Sequence, residues 1–191
     1  MACLRLSIIN IGKVLGRKIL ILGDVGTGKT RLTAQILDSL LKEVSVDDIT
    51  IIDMSPTTVA GVGGRLSSYT PNAMKVRCLA PEVVHAPRIE GKNKDEVINL
   101  AEFNRKVIEP FLHEFIHRPT PILFINDLSI YLHAGDVEMI IECLKLSNTV
   151  VANSYYGESL LDDKGSGVSF RERKLLDELA CRFNDVLDLN D

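Results

Sequence analysis

Residues 18–30 read KILILGDVGTGKT, and this stretch determines how the rest of the chain is interpreted. Residues 18–22 are apolar apart from one lysine, as expected of a strand buried on both faces of a sheet. The next eight residues are Gly23, Asp24, Val25, Gly26, Thr27, Gly28, Lys29 and Thr30, which match G-x-x-x-x-G-K-[ST] at every constrained position. Leucine and isoleucine at helical spacing follow over residues 30–41. The stretch therefore predicts a phosphate-binding loop between a buried strand and a helix.

The residue types of this loop suit a bound phosphate. Glycines allow backbone dihedrals that a Cβ would forbid, so successive N–H groups can converge on phosphate oxygens at the positive end of a helix. Lys29 supplies a charge to the β- and γ-phosphates, and Thr30 offers a hydroxyl to Mg²⁺. We therefore expect residues 23–30 to bind a nucleotide.

Short β-branched runs alternate with longer helical patterns along the chain, which predicts a parallel sheet covered by helices. Further strands are expected at residues 49–52, 74–79, 122–125, 149–152 and 186–189, with a weaker edge strand at 4–11. Further helices are expected from the capping pair Asn93 with Glu96 to Phe115, over residues 136–146, and from the capping pair Ser169 with Glu172 to Phe183. Residues 54–73 and 80–94 are expected to be long loops.

The composition is that of one globular domain. The chain has 191 residues, 46% of them hydrophobic, and a net charge of -4, which argues against disorder and against a domain built on a basic nucleic-acid-binding surface. Four widely spaced cysteines (Cys3, Cys78, Cys143 and Cys181) do not form a zinc-binding pattern. With no signal peptide and no apolar span, they favour the cytoplasm. We expect residues 1–191 to form a single nucleotide-binding domain.

The chain resembles the P-loop NTPases, with residues 23–30 as the Walker A motif and residues 122–127, ILFIND, as the Walker B motif. This resemblance implies a three-layer α/β fold with a mostly parallel sheet of about five to six strands and helices on both faces. It also implies that Asp127 holds Mg²⁺ together with Thr30. The alternative for Asp127 is an acid that caps the next turn.

Within that superfamily, the chain is most similar to the RecA-like and AAA-like division. There, a polar residue ends the strand between the Walker A and Walker B strands and senses the γ-phosphate. In this chain, the strand that follows the Walker B motif ends in Asn153 and Ser154. By this order along the chain Asn153 matches the sensing position, although it could simply start a turn. Many members carry a glutamate after the Walker B aspartate to polarise the attacking water, whereas this chain has Leu128 there. The candidate replacements are the acids Asp53, Glu82, Asp136 and Glu158. Asp53 is favoured because it ends the second strand, and an ordinary loop acid is the alternative for it. The catalytic candidates are therefore Lys29, Asp127, Asp53 and Asn153.

ATP is the expected nucleotide because no N-K-x-D motif for guanine follows the Walker B motif. The resemblance implies a Mg²⁺-dependent ATPase coupled to a protein partner or to a homo-oligomer, in which a neighbour often supplies an arginine. Arg65, Arg88 and Arg171 are the candidates for that arginine. Two alternatives remain open. One is a small-molecule or nucleotide kinase whose two long loops hold an acceptor. The other is a non-catalytic nucleotide-binding switch, which the missing glutamate favours. No membrane span and no clear nucleic-acid-binding element are expected.

Overall fold

The computed structural model describes residues 14–56 and 64–190. These residues form the strands β1 (Lys18–Gly23), β2 (Ile49–Asp53), β3 (Arg77–Leu79), β4 (Ile122–Asn126), β5 (Thr149–Tyr155) and β6 (Asp185–Asp188). They also form the helices α1 (Lys29–Leu40), α2 (Pro87–Glu90), α3 (Lys94–His117), α4 (Leu128–Leu132), α5 (Val137–Leu146) and α6 (Val168–Ala180). Short 3₁₀ turns lie at Val46–Asp48, Leu66–Ser68 and Pro71–Met74. Within the described ranges, none of the helices combines the length and the apolar content needed to cross a membrane.

The strands form one sheet in the order β3-β2-β4-β5-β1-β6, and every neighbouring pair is parallel. Parallel neighbours need long crossover connections, which helices supply for most pairs here. Strands β2, β4 and β5 are buried at every position, and β1 at all but its first. Burial on both faces explains why these strands are largely continuous apolar runs. The predicted α/β fold with a mostly parallel sheet is confirmed.

Helices cover both faces of the sheet, as predicted. Ile19 and Ile21 of β1 belong to a core with Ile36 and Leu37 of α1. Leu20 belongs to a second, larger core that contains residues of α3, α4, α5 and α6. Because successive residues of a strand point to opposite faces, a single apolar run contributes to both cores. The result is a three-layer arrangement.

The carboxyl ends of the parallel strands meet at one edge of the sheet. Strand β5 lies between β1 and β4, with Leu22 opposite Ser154 and Ile125 opposite Ala152. The strand that follows the ILFIND segment therefore lies beside the strand that precedes the glycine-rich loop. This edge is where the polar residues at the ends of β1, β2, β4 and β5 are brought together.

Several boundaries differ from the sequence prediction. The segment 80–94 contains α2 and the segment 54–73 contains two 3₁₀ turns, although both were predicted as loops. Helix α4 was not predicted, because five residues are too few to reveal helical spacing. Strand β3 covers only the end of the predicted segment 74–79, and β5 extends beyond its predicted end to include Asn153 and Ser154. The predicted strand at 4–11 lies outside the described residues.

The two predicted capping pairs have opposite outcomes. The side chain of Asn93 accepts a hydrogen bond from the backbone N–H of Glu96 and caps α3, as predicted. The prediction for Ser169 and Glu172 is wrong. Gly167, with φ +84°, precedes the first residue of α6, so Ser169 already lies inside the helix. Glu172 is buried in ion pairs with other elements and does not cap the helix.

Candidate functional site

Residues 23–30 join the end of β1 to the start of α1 through a tight turn. Gly26 and Gly28 have φ angles of +75° and +93°, in the left-handed region that side chains disfavour. Gly28 is the N-cap of α1, and no side chain caps this end of the helix. The first amide groups of α1 are therefore left for an external acceptor, and a phosphate is a suitable one.

Lys29 is the first residue of α1, and its ammonium group reaches back across the loop. Its Nζ donates a hydrogen bond of 2.6 Å to the backbone carbonyl of Asp24. Burial lowers the pKa of Lys29, whereas the charges of Asp127, Asp24 and Glu172 act to raise it. Lys29 is thus a partly buried cation that donates to a neutral carbonyl, a contact that a phosphate oxygen can replace.

The Asp24 carboxylate fastens the loop to residues 157–160. Its Oδ2 accepts hydrogen bonds from the backbone N–H groups of Glu158 and Ser159 and from the Ser159 hydroxyl. Its Oδ1 accepts one from the backbone N–H of Val25 at 2.6 Å. Burial acts to raise the pKa of Asp24, but these hydrogen bonds outweigh it and lower the pKa to about 2. Asp24 therefore shapes the loop through its side chain.

A cavity of about 410 Å³ opens in front of the loop, a volume typical of small-molecule sites. The predicted site residues that line it are Val25, Gly26, Thr27, Gly28, Lys29, Thr30, Asp127 and Asn153. Gly23, Asp24 and Asp53 do not line it. Residues of α2, α4 and β5 complete the wall. Most of the residues predicted from two separate motifs thus share one cavity.

Asp127 follows β4 with φ +64° and ψ +62°, a left-handed conformation rare for residues other than glycine. Such a conformation costs about 1–2 kcal/mol and persists where the surroundings enforce it. Its Oδ1 accepts a hydrogen bond from the Ser129 hydroxyl. Burial raises the pKa of Asp127, although the Ser129 hydrogen bond and the Lys29 charge act to lower it. A bound cation would stabilise this carboxylate.

Asn153 connects three elements through its side-chain amide. Its Nδ2 donates to Thr33 Oγ1 at 2.9 Å and to Asn126 Oδ1 at 2.8 Å. Its Oδ1 accepts a hydrogen bond from the backbone N–H of Asp127 at 3.0 Å. Both amide hydrogens are therefore occupied. Asn153 orients the backbone of Asp127 and also lines the cavity.

Asp53 is one of the predicted residues that the structure places outside the cavity wall. It is 2% exposed, and its Oδ1 accepts hydrogen bonds from the backbone N–H and hydroxyl of Ser55 and from Asn126 Nδ2. Its Oδ2 accepts a hydrogen bond of 2.7 Å from the backbone N–H of Leu66. Four donors therefore surround the carboxylate. This arrangement corrects the expectation that Asp53 contacts the attacking water, because the side chain instead ties residues 64–66 to the ends of β2 and β4.

The three candidate arginines have different surroundings. Arg65 donates to two backbone carbonyls, one at the end of β2 and one after β3. Arg171 donates to the carbonyl of Gly135 at 2.7 Å and lines a smaller cavity. Arg88, in α2, lines the large cavity together with residues 25–30. Of the three, Arg88 is the one placed to contact a ligand there.

Arg88 belongs to a buried charged cluster that no motif marks. Its Nη1 lies 2.7 Å from Glu172 Oε2, and its guanidinium carbon lies 4.7 Å from the centre of the Tyr155 ring. His133 Nε2 lies 3.2 Å from the same oxygen of Glu172. The side chains of Arg88, His133 and Glu172 are 5%, 1% and 3% exposed. The sequence held one signal for this cluster, since Glu172 lies at four-residue spacing between two apolar residues on the buried face of α6.

Tyr155, the last residue of β5, and Tyr156, the next residue, have different surroundings. Tyr155 lines the cavity, and its hydroxyl accepts a hydrogen bond of 2.8 Å from the backbone N–H of Leu160. Tyr156 does not line the cavity, and the guanidinium of Arg173 lies 3.6 Å from the centre of its ring. The alternation of side chains along a strand explains this difference. Of the pair, Tyr155 is the one that a cavity ligand would meet.

Thr30 and Asp127 are the candidate ligands for a magnesium ion. Within the described part of the chain, no group of three or more His, Cys, Asp and Glu side chains is arranged to hold a metal. Mg²⁺ at phosphate sites commonly takes only one or two protein ligands and fills its shell with water and phosphate oxygens. One hydroxyl and one buried carboxylate on the wall of a single cavity fit that requirement.

Comparisons with known proteins give a distant structural similarity. No protein-family profile matches the chain, and no curated protein sequence matches it. Among solved structures, the chain is similar to the crystal structure of the Pif1 helicase from Candida albicans, with 14% sequence identity and a TM-score of 0.41. The similarity covers 95% of this chain and 38% of the helicase chain.

Proposed function

We propose that this chain is a single P-loop nucleotide-binding domain of the RecA-like or AAA-like kind that binds ATP and hydrolyses it with Mg²⁺. The observation that carries the proposal is the convergence of Lys29, Thr30 and Asp127 on one cavity. The lysine and threonine are the first two residues of α1, and the aspartate directly follows β4. If Lys29 were only a surface lysine and Asp127 only a turn-capping acid, nothing would require both to line one ligand-sized cavity.

The triphosphate binds along the phosphate-binding loop. The uncapped amide groups at the start of α1 contact its oxygens, favoured by the positive end of the helix dipole. Lys29 exchanges its hydrogen bond to the Asp24 carbonyl for one to a phosphate oxygen, gaining a charged partner. Asp24 keeps the loop in shape during this exchange through its contacts with residues 157–160.

Thr30 and Asp127 would hold Mg²⁺, which would neutralise charge on the phosphates. The burial that raises the pKa of Asp127 explains why a cation suits this position. Asn153 lies on the cavity wall and holds the Asp127 backbone. Because both of its amide hydrogens are donated to the protein, it would sense the γ-phosphate through the position of Asp127. Asp53 has no part in this chemistry, because its carboxylate is surrounded by donors from the protein.

One observation favours a second candidate, a nucleotide-binding switch without rapid hydrolysis. Among the described residues that line the cavity, Asp127 is the single acidic side chain. A carboxylate to polarise the attacking water is therefore not offered there once Asp127 holds the metal. We propose that hydrolysis is slow in the isolated chain and depends on a protein partner or on a second copy.

The free thiols of Cys78, Cys143 and Cys181 are in keeping with a cytoplasmic protein.

Titration calorimetry of the full chain with ATP, ADP and GTP, with and without Mg²⁺, tests the proposal. We expect micromolar, Mg²⁺-dependent ATP binding by the parent protein and no detectable binding by Lys29→Ala. Lys42→Ala, which changes an exposed lysine beyond the end of α1, is the matched control and should bind like the parent. ATP binding by Lys29→Ala as tight as that of the parent would refute the phosphate-binding loop. Phosphate release measured in parallel separates the ATPase from the switch.

A further inference from the structure

The proposed function makes no use of the buried cluster of Arg88, His133 and Glu172. Two of its members, Arg88 and His133, line the nucleotide cavity. Glu172 reaches the cluster from α6, Arg88 from α2 and His133 from the residue after α4. Three elements distant in sequence thus place a shared carboxylate behind the cavity wall. Buried charges are costly unless they are well paired, so their presence at a ligand site calls for an explanation.

The cluster is incompletely paired within the described residues. Glu172 Oε1 and His133 Nδ1 are buried and have no hydrogen-bond partner there. Each such atom carries a desolvation penalty that a stably packed core normally avoids. One carboxylate oxygen serves two basic groups while the other has no partner. The arrangement is therefore not the one that stability alone would select.

The guanidinium of Arg88 is only partly used by the protein. Its contacts with Glu172 and with the Ser169 hydroxyl, at 2.7 Å and 3.5 Å, both involve Nη1. Its Nε and Nη2 have no hydrogen bond to any described residue and are not among the buried unpartnered atoms. Since Arg88 lines the cavity, these donors are available to a ligand there. A planar guanidinium with one edge free matches the geometry of phosphate oxygens.

The location of the cluster indicates which part of a nucleotide it would meet. Arg88 and His133 line the same cavity as Lys29 and Asp127, and the charge of Glu172 acts on both of those residues, so the cluster lies near them. In the proposed function, the β- and γ-phosphates and Mg²⁺ would be held beside Lys29 and Asp127. The centre of the Tyr155 ring lies 4.7 Å from the guanidinium carbon, and this cation–π contact helps to hold the Arg88 side chain at the cavity wall.

We propose that Arg88 is a specificity-determining residue of the nucleotide site, whose free guanidinium edge binds the terminal phosphate of ATP while Glu172 holds Arg88 in place. This inference rests on the proposed function and deepens it. ADP lacks the terminal phosphate and so loses the contact with Arg88. Arg88 therefore makes the site prefer ATP to ADP, and Glu172 is a positioning residue that acts through Arg88. The arginine that a neighbouring subunit often supplies in the RecA-like and AAA-like division would here be Arg88, on the wall of the chain's own cavity.

The test compares ATP and ADP affinities, each with Mg²⁺, by calorimetry on the full chain. We expect Arg88→Gln to weaken ATP binding at least about tenfold and ADP binding less than about threefold, because only ATP loses a charge-assisted contact. Arg182→Gln is the matched control, since Arg182 is an exposed arginine after α6 that does not line the cavity. It should leave both affinities unchanged. Arg88→Lys should recover part of the ATP preference.

A second pair of variants separates positioning from folding. Arg88→Gln alone leaves Glu172 buried without its guanidinium, so it can fail to fold for reasons unrelated to the ligand. The double variant Arg88→Gln/Glu172→Gln removes both charges and should again lose the ATP preference. Glu172→Gln alone should reduce the ratio of ATP to ADP affinity without abolishing binding. A merely structural role for Glu172 would lower both affinities together and leave that ratio unchanged.

Three results would overturn the inference. They are equal losses of ATP and ADP affinity in Arg88→Gln, an unchanged ATP preference in that variant, and a parent protein that binds the two nucleotides equally. A parent protein that binds ATP with Mg²⁺ but shows any of these results leaves the proposed function intact. A parent protein that binds neither nucleotide refutes the proposed function and this inference together.

Discussion

Asp53 and Asp127 lie at the carboxyl ends of two adjacent strands, β2 and β4, and their surroundings are opposite. The carboxylate of Asp53 accepts four hydrogen bonds and is 2% exposed. Asp127 accepts one side-chain hydrogen bond, from Ser129, adopts a left-handed backbone and lines the cavity. The two acids are therefore alike in sequence position and different in chemistry.

The number of hydrogen bonds that each carboxylate accepts from the protein indicates which of the two acids is available to a ligand. A carboxylate whose lone pairs are taken by the protein stabilises the fold and has little to offer a metal or water. A carboxylate with few internal donors and a strained backbone retains unsatisfied capacity, and such strain clusters at functional sites. Asp53 belongs to the first kind and Asp127 to the second. Four predictions test this contrast, in order of decreasing effect.

Asp53→Ala should cause the largest loss of stability. It leaves the buried donors of Ser55, Asn126 and Leu66 without their acceptor, so we expect the free energy of unfolding to fall by about 3–5 kcal/mol. Urea denaturation measures this loss. Asp53→Asn keeps one acceptor oxygen and should lose less, and Asp47→Ala, at an exposed acid before β2, should lose almost nothing. A loss below about 1 kcal/mol for Asp53→Ala would contradict the structural role.

Asp127→Asn should have the opposite effect. Asparagine tolerates the left-handed backbone, so we expect the free energy of unfolding to change by less than about 1 kcal/mol. ATP affinity with Mg²⁺ should fall at least about tenfold and ATP affinity without Mg²⁺ much less, because the metal loses its charged ligand. Nucleotide affinities with and without Mg²⁺ provide the check. An equal effect on both affinities would remove Asp127 from the metal site and make the two acids alike.

Asn153→Ala should combine both effects at a smaller scale, because Asn153 contacts Asn126 of the Asp53 network and the Asp127 backbone. We expect a loss of about 1–3 kcal/mol in the free energy of unfolding from the hydrogen bonds left unmade. Mg²⁺-dependent nucleotide binding should weaken more than Mg²⁺-free binding. Denaturation and calorimetry on the same variant measure the two effects. An effect on stability with no change in Mg²⁺ dependence would show that Asn153 is purely structural.

Asp24 directly follows β1 and is a third acid at this edge of the sheet, and its low pKa makes its contribution to stability depend on pH. Its folded pKa of about 2 lies below the ordinary value of 3.8, so its carboxylate stabilises the fold above about pH 4. That contribution is lost as the pH falls from about 4 to 2. The stability difference between the parent protein and Asp24→Asn should shrink over this window. A carboxyl titration midpoint near 4, measured by NMR, would contradict the hydrogen-bonded arrangement.

The glycine-rich turn between β1 and α1 and the sheet were predictable because they depend on local sequence. Glycines at left-handed positions, Lys29 at the start of α1 and continuous apolar strands all leave patterns within a few residues. The position of Asp127 at the end of a strand was also predictable, because it directly follows an apolar run. Asp53 was predictable in position but not in role. Its role depends on Leu66 and Asn126, which approach it only when the chain folds.

The Arg88 cluster was not predictable, because its members come from three separate elements and form no motif. The buried position of Glu172 was hinted at by apolar spacing along α6, but its partners could not be read from that spacing. A short helix such as α2 also leaves no periodic signal, so the segment that carries Arg88 was predicted as a loop.

The amino-acid sequence was sufficient to predict the α/β class, the parallel sheet and the glycine-rich turn before α1, since each follows from dihedral preferences or from local burial. The tertiary structure alone decided which polar side chains remain available to a ligand. Hydrogen-bond satisfaction is a property of groups brought together across the fold, and it cannot be computed along the chain. Asp53 is satisfied by four donors, whereas Asp127 and Arg88 keep free capacity on the wall of one cavity.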